Sequence, residues 1–153
     1  LSVNDNLVII FHAIAGILVF MWMLYQYSWK GKNKTLKGEE RKNKLKNHEL
    51  FGLYIFPATL FVVILAILGN IIRINDHNLI SEIIPNSLHG AAGFIGTGLL
   101  MITWNLGRKT KSEKENGEKW SNTKKKHGRA ADLILIIGSI HVFLGFLELL
   151  KIL

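Results

Sequence analysis

Hydrophobic and polar positions separate along this chain into long blocks, and they do not alternate. Four apolar stretches stand out, over about residues 7–29, 50–72, 83–107 and 130–147. The first three carry no formal charge, and the fourth has Asp132 alone, near its start. A hydrocarbon core of ~30 Å takes ~20 residues at ~1.5 Å rise each, so every stretch is close to the length of a membrane span. Backbone groups in lipid must be satisfied within the segment, so the stretches read as helices and not strands. The pattern predicts transmembrane helices over about 7–29, 48–72, 85–107 and 127–150. Together they make an all-α, membrane-embedded up-down four-helix bundle that occupies residues 1–153 as a single domain. Pro57 lies inside the second helix and predicts a kink whose freed carbonyl a neighbour can re-satisfy. Pro85 suits a helix N-terminus, where its missing N–H is no loss. Gly90, Gly93, Gly96 and Gly98 thin the third helix and permit close approach of another helix or a flat cofactor.

Charge sharpens this picture. The chain is 49% hydrophobic yet carries 19 Lys and Arg and a formal net charge of +8. The cations are concentrated between the apolar blocks. Residues 30–47 hold eight Lys or Arg against Glu39 and Glu40, and residues 108–126 hold eight against Glu113, Glu115 and Glu118. The intervening connection, about 70–84, has Arg73 as its one basic residue. By the positive-inside rule the loops 30–47 and 108–126 face the cytoplasm or its equivalent, and both termini face the other side. Trp22, Tyr25, Tyr27, Trp29 and Trp104 fall at the expected inner interface, where amphipathic rings anchor a span. Nothing in the basic loops resembles a nucleic-acid reading motif. Attraction to anionic headgroups accounts for them, which makes the lipid bilayer the expected partner. With no cysteine, disulfides and thiolate metal sites are excluded.

The histidines carry the candidate chemistry. His12, His48, His89 and His127 each stand near the N-terminal end of one predicted helix. Ionisable residues in a membrane are costly and usually functional. His12-Ala13-Ile14-Ala15-Gly16 resembles His89-Gly90-Ala91-Ala92-Gly93. His48 is followed by Gly52 at the same interval, and His127 by the small Ala131. The chain therefore reads as two parallel helical hairpins with one histidine layout, a repeat of the kind common in membrane folds. In an up-down bundle helices one and three are diagonal, as are two and four. His12 then faces His89 at one depth, and His48 faces His127 at another. Two imidazoles meeting across a bundle suit a six-coordinate haem iron, with both axial positions filled and electron transfer favoured over oxygen chemistry. Gly16, Gly52, Gly93 and Ala131 would leave space for a porphyrin against the helix. Zinc fits less well, since two His per level are too few for a closed tetrahedral site. Arg129, Lys126 and Lys46 flank the inner pair and could neutralise propionates. Thr97, Thr103 and Ser139 could orient imidazole N–H groups. His141, fourteen positions after His127, reaches the outer level as a ligand, a propionate partner or a group facing a quinone; Val62 takes the equivalent place in helix two. His77, in the polar second connection, reads as a surface residue.

This layout, with the small residue after each histidine, resembles the core of the cytochrome b561 superfamily. It is closer still to that family's uncharacterised four-helix relatives from photosynthetic organisms. The resemblance implies two haem b groups, one per membrane leaflet, ligated by His12 with His89 and by His48 with His127, and an electron carrier that acts across the membrane. It leaves open whether the chain is an oxidoreductase. Two peripheral helices of the animal and plant proteins are missing, and no loop matches a substrate motif, so donor and acceptor do not carry over. Two other classes stay open at this point: a cofactor-free assembly or scaffold subunit of a membrane complex, and a protein whose histidines each ligate a chlorophyll magnesium. A homodimer or a subunit of a larger complex is compatible with either.

Overall fold

The computed structural model describes residues 3–73 and 87–151. They form four helices: α1 (Val3–Thr35), α2 (Gly38–Arg73), α3 (Leu88–Glu115) and α4 (Ser121–Leu150). His77, Pro85 and the expected start of the third helix lie outside the described residues.

The helices run well past the apolar stretches. The basic segments read from sequence as loops are largely helical continuations of α1, α2 and α3 and the first turns of α4. Lys and Glu are good helix formers, and charge pairs one turn apart add a few tenths of a kcal/mol each. Lys109–Glu113 and Lys111–Glu115 are such pairs, both at 3.8 Å. What remains of the two basic connections is short. The first reverses the chain at Gly38, whose φ of 56° suits a residue without Cβ. The second closes α3 in a Schellman motif around Gly117 (φ 73°). There the Glu118 N–H donates to the Glu113 carbonyl at 2.8 Å, and the Gly117 N–H donates to Lys114 at 3.3 Å. At the other end of α3, Ser87 Oγ accepts the Gly90 N–H at 3.1 Å and caps the helix.

Each helix packs against its neighbour in sequence, and α4 closes back on α1. The result is an up-down four-helix arrangement with α1 opposite α3 and α2 opposite α4, as the sequence predicts. Ile55, Leu100 and Ile134 form its buried centre, with Trp22, Met23, Phe56 and Leu99 packed around them. The outward faces are apolar too: Leu18, Phe61, Ile95 and Phe143 are each more than half exposed. Exposed apolar surface on that scale marks a membrane or a partner. Three of the described helical segments, Leu7–Thr35, Gly38–Ile72 and Ser121–Leu150, are long and apolar enough to cross a bilayer. By composition the protein therefore reads as an integral, multi-pass membrane protein.

Several side-chain ties join the hairpins: Lys111 and Lys114 of α3 pair with Glu49 of α2 at 3.9 and 3.8 Å, and two further ties centre on Trp104 and Asp132. Pro57 lies inside α2 and cannot donate to the carbonyl four residues back, which is Leu53. The Trp104 indole N–H, from α3, donates to that carbonyl at 3.0 Å. Trp104 thus does more than anchor an interface; it also lies against Phe56, and Arg108 stands 4.5 Å over its ring. On the other side the Tyr27 hydroxyl of α1 donates to Asp132 of α4 at 2.8 Å, and Lys30 pairs with the same carboxylate. That hydrogen bond raises the Lys30 ammonium above its ordinary value. The two ties occupy equivalent places. Tyr27 and Trp104 lie 77 positions apart, as do His12 and His89; Leu53 and Asp132 lie 79 apart, as do His48 and His127.

Candidate paired-histidine site

Opposed helices bring the four histidines into two pairs. The ring centroids of His12 (α1) and His89 (α3) are 6.1 Å apart with planes at 81°. Those of His48 (α2) and His127 (α4) are 6.4 Å apart at 71°. Each pair crosses from one hairpin to the other, and the buried Ile55–Leu100–Ile134 cluster belongs to the bundle interior that all four helices share.

Every one of these rings is braced from within its own hairpin. His12 Nδ1 lies 3.0 Å from the Val62 carbonyl, His89 Nδ1 lies 3.1 Å from the His141 carbonyl, and His127 Nδ1 lies 2.9 Å from the Thr103 carbonyl. A carbonyl can only accept, so each of these rings carries its proton on Nδ1. In the neutral imidazole that leaves Nε2 as a bare lone pair. An Nδ1–H held by a carbonyl is the usual brace behind a metal-ligating histidine, because it fixes both tautomer and ring plane. His48 is braced differently. The amide of buried Gln26 lies 2.6 Å from its Nδ1, in an orientation that also donates to the His48 carbonyl and accepts the Gly52 N–H, both at 3.2 Å. In that orientation the amide N–H is also the group at Nδ1, so His48 accepts there and carries its proton on Nε2; turning the amide to present its oxygen to Nδ1 would free Nε2. Trp29 stacks on the other side of His48 at 5.7 Å and 25°.

A fixed interval underlies the braces. Gln26, Val62, Thr103 and His141 each lie fourteen positions after one of the four histidines, almost four full helical turns and hence on the same helix face. The sequence singled out Val62 and His141 as equivalent and Thr103 for its hydroxyl. It is the Thr103 backbone that serves, since its hydroxyl bonds back to Leu99 at 2.8 Å. Thr97 and Ser139 likewise bond back to Gly93 and Leu135. Gln26 went unnoticed, although the interval identifies it.

The small residues divide into two groups. A Cβ at Gly93 would come within 2.9 Å of the His141 ring, so this glycine seats an imidazole of its own hairpin. Gly145 and Gly107, which sequence reasoning passed over, seat His89 and His127, with Cβ approaches of 2.7 and 3.1 Å. Gly16 and Gly52 are roomier, their nearest neighbours being Val62 at 3.8 Å and Gln26 at 3.9 Å. Ala131, one turn after His127, is half-buried, and Arg129, Lys126 and Lys46 are exposed. His141 stacks on His89 with centroids 4.0 Å apart and planes at 15°. Its Nδ1 is 3.0 Å from the His89 carbonyl, so the two residues brace each other reciprocally.

No family model, no curated protein and no solved structure matches this chain.

The geometry itself has to carry the chemistry. Two metal–imidazole bonds of about 2 Å each, laid in line and extended by half a ring on either side, put the centroids roughly 6 Å apart. Both pairs have that spacing. Among the described residues no group of three or more His, Cys, Asp or Glu is gathered that could hold a bare ion. A metal held by either pair would therefore bring its remaining ligands with it, as the iron of haem does with four pyrrole nitrogens. The donor set fits that group.

Proposed function

We propose that the chain crosses a membrane four times and is a transmembrane electron-transfer protein with two bis-histidine b-type haems, one near each face. The observation that carries this reading is the pair of centroid distances, 6.1 and 6.4 Å, at two levels of one bundle. Haem b supplies reversible one-electron chemistry at its iron. The protein's part is done by named groups. His12 and His89 stand across from each other at one level, each with its Nε2 bare, and the Val62 and His141 carbonyls hold those rings in place. At the other level the Thr103 carbonyl holds His127 with its Nε2 bare, and Gln26 holds His48, which would offer Nε2 once the Gln26 amide turns its oxygen to Nδ1. A haem held by a histidine from each side would be left without an open site for oxygen or substrate and would supply electron transfer. The likeness to the cytochrome b561 core belongs to this proposal. So does the orientation, with the basic helix ends at His48 and His127 on the cytoplasmic side.

Neither alternative class has a use for this arrangement. A scaffold subunit needs no imidazoles aligned across the bundle, and a chlorophyll magnesium needs one histidine and no facing partner. Absorption spectroscopy on purified, detergent-solubilised protein, oxidised and then dithionite-reduced, tests the reading. The expected result is a b-type spectrum with about two haems per chain. A colourless preparation from haem-replete cells would overturn it, and red absorption from a magnesium pigment would move the assignment to the pigment class.

A further inference from the structure

The outer level holds a third imidazole that the pairing does not use. We infer that His141 is a positioning residue: its ring, stacked on His89, holds the His89 plane crosswise to His12. This rests on the proposed haem reading for its readout. The His89 ring is confined by three contacts. Its Nδ1 is held by the His141 carbonyl at 3.1 Å, its edge lies over Gly145 with no room for a Cβ, and one face is covered by the His141 ring at 4.0 Å and 15°. His141 is itself locked, with Nδ1 on the His89 carbonyl at 3.0 Å and its ring over Gly93 at a Cβ approach of 2.9 Å. The first hairpin isolates what the side chain adds. There Val62 supplies the same carbonyl brace to His12 at 3.0 Å and contributes no ring. The brace is thus a backbone property that any residue at 141 would provide. The stacked plane is what the His141 side chain provides. It holds His89 at 81° to His12.

The angle between two axial imidazole planes sets the splitting of the iron d orbitals. Crossed planes give a strongly anisotropic low-spin ferric signal in electron paramagnetic resonance, and planes nearer parallel give a rhombic one. The test compares full-length wild type, His141→Val, His141→Phe and Gly93→Ala in nanodiscs. In His141→Val, which copies the Val62 arrangement, both haems should stay bound and six-coordinate. The outer signal should shift toward the rhombic type and its midpoint potential should move, with the inner signal unchanged as internal reference. His141→Phe keeps a flat ring over His89 and should preserve the wild-type signal. Gly93→Ala displaces the His141 ring without removing it and should reproduce part of the Val effect. If the outer signal is unchanged in both His141→Val and Gly93→Ala, the inference is wrong. If His141→Val turns the outer haem high-spin or loses it, His141 is a ligand and the positioning role also falls. Wild-type protein without any haem would instead sink the proposed function, a result recognisable before any variant is made.

Discussion

The α1–α2 and α3–α4 hairpins carry the same histidine layout but differ in what surrounds it. In both, the first helix sends an imidazole to a backbone carbonyl of the second, His12 to Val62 and His89 to His141. In both, the second helix returns an imidazole to the residue fourteen positions beyond the first histidine, His48 to Gln26 and His127 to Thr103. The differences lie in the packing. The second hairpin seats His89, His127 and His141 on Gly145, Gly107 and Gly93, all with Cβ approaches of 3.1 Å or less. The first hairpin leaves 3.8 Å or more at Gly16 and Gly52. What the two halves share is an imidazole held at Nδ1 by the opposite helix of its hairpin, by a backbone carbonyl at His12, His89 and His127 and by the Gln26 amide at His48. What they do not share can tune one level against the other. Since each pair takes one ring from each hairpin, the more tightly seated half sets the geometry for both.

Removing a ring is the strongest way to break this symmetry. His89→Ala or His12→Ala should abolish binding at the outer level alone, and His127→Ala or His48→Ala at the inner level alone. Each variant should retain about half of the wild-type haem absorbance, because one iron loses an axial ligand and the other keeps both. Haem-to-protein ratios and low-temperature reduced spectra measure this. If any one of the four changes removed both haems, or none, the assignment of two independent levels would be wrong.

Much of this was legible in the sequence, for a physical reason. Lipid forces a span to be long, apolar and helical, so four helices in up-down order follow from hydropathy, and three of them are long and apolar enough to cross a bilayer. The depth pairing of His12 with His89 and of His48 with His127 then follows from helix direction alone. The braces were harder to see because three of them are backbone carbonyls, to which Val62 and Thr103 lend no side-chain signature. Their one trace is the interval of fourteen positions. Gly93 also has a use that spacing did not reveal, seating the His141 ring. Spacing shows that a helix is thin at a point, but not whether a porphyrin or a neighbouring imidazole fills the space. The helical basic segments were missed because charge density suggests a loop in a membrane protein. Lys109, Glu113, Lys111 and Glu115 instead read as good helix formers at paired spacing.

Alanine at the glycines sharpens the contrast next. Gly145→Ala puts a methyl within 2.7 Å of the His89 ring and Gly107→Ala puts one within 3.1 Å of His127. The first should disturb the outer level severely, by displacing a braced ring in close-packed surroundings, where overpacking costs about 1–3 kcal/mol. The second should disturb the inner level less, since a shift of a few tenths of an ångström relieves it. Gly16→Ala and Gly52→Ala meet nothing closer than 3.8 Å. Both should raise the stability of the haem-free bundle by about 0.4–1 kcal/mol through the unfolded state, and a change in the spectra would report a porphyrin lying against the helix. Equal damage from all four substitutions would erase the distinction between the hairpins.

The smallest effects should come from the two equivalent ties between hairpins. Trp104 answers a carbonyl that Pro57 leaves without its helical donor. Trp104→Phe keeps the aromatic packing on Phe56 and removes the N–H, at a cost of about 1–2 kcal/mol for an interhelical hydrogen bond in an apolar setting. Pro57→Ala restores the helical N–H to Leu53, so in that background the same Trp104→Phe change should cost much less. The double-mutant cycle, read by thermal melting of the solubilised protein, isolates the bond itself. Tyr27 makes the counterpart tie, to the Asp132 side chain, and there Lys30 supplies a second donor in a half-exposed setting. Tyr27→Phe should therefore shift the melt by no more than the scatter of the wild type. The Lys30 contribution is fully present below the ordinary lysine value of about 10.4 and is lost only as pH rises through the higher value the folded protein gives it, so the Tyr27→Phe shift should be the same at every pH between about 6 and 9. A Tyr27→Phe loss as large as that of Trp104→Phe would show that the α1–α4 contact, and not the Pro57 break, sets how firmly the hairpins hold together.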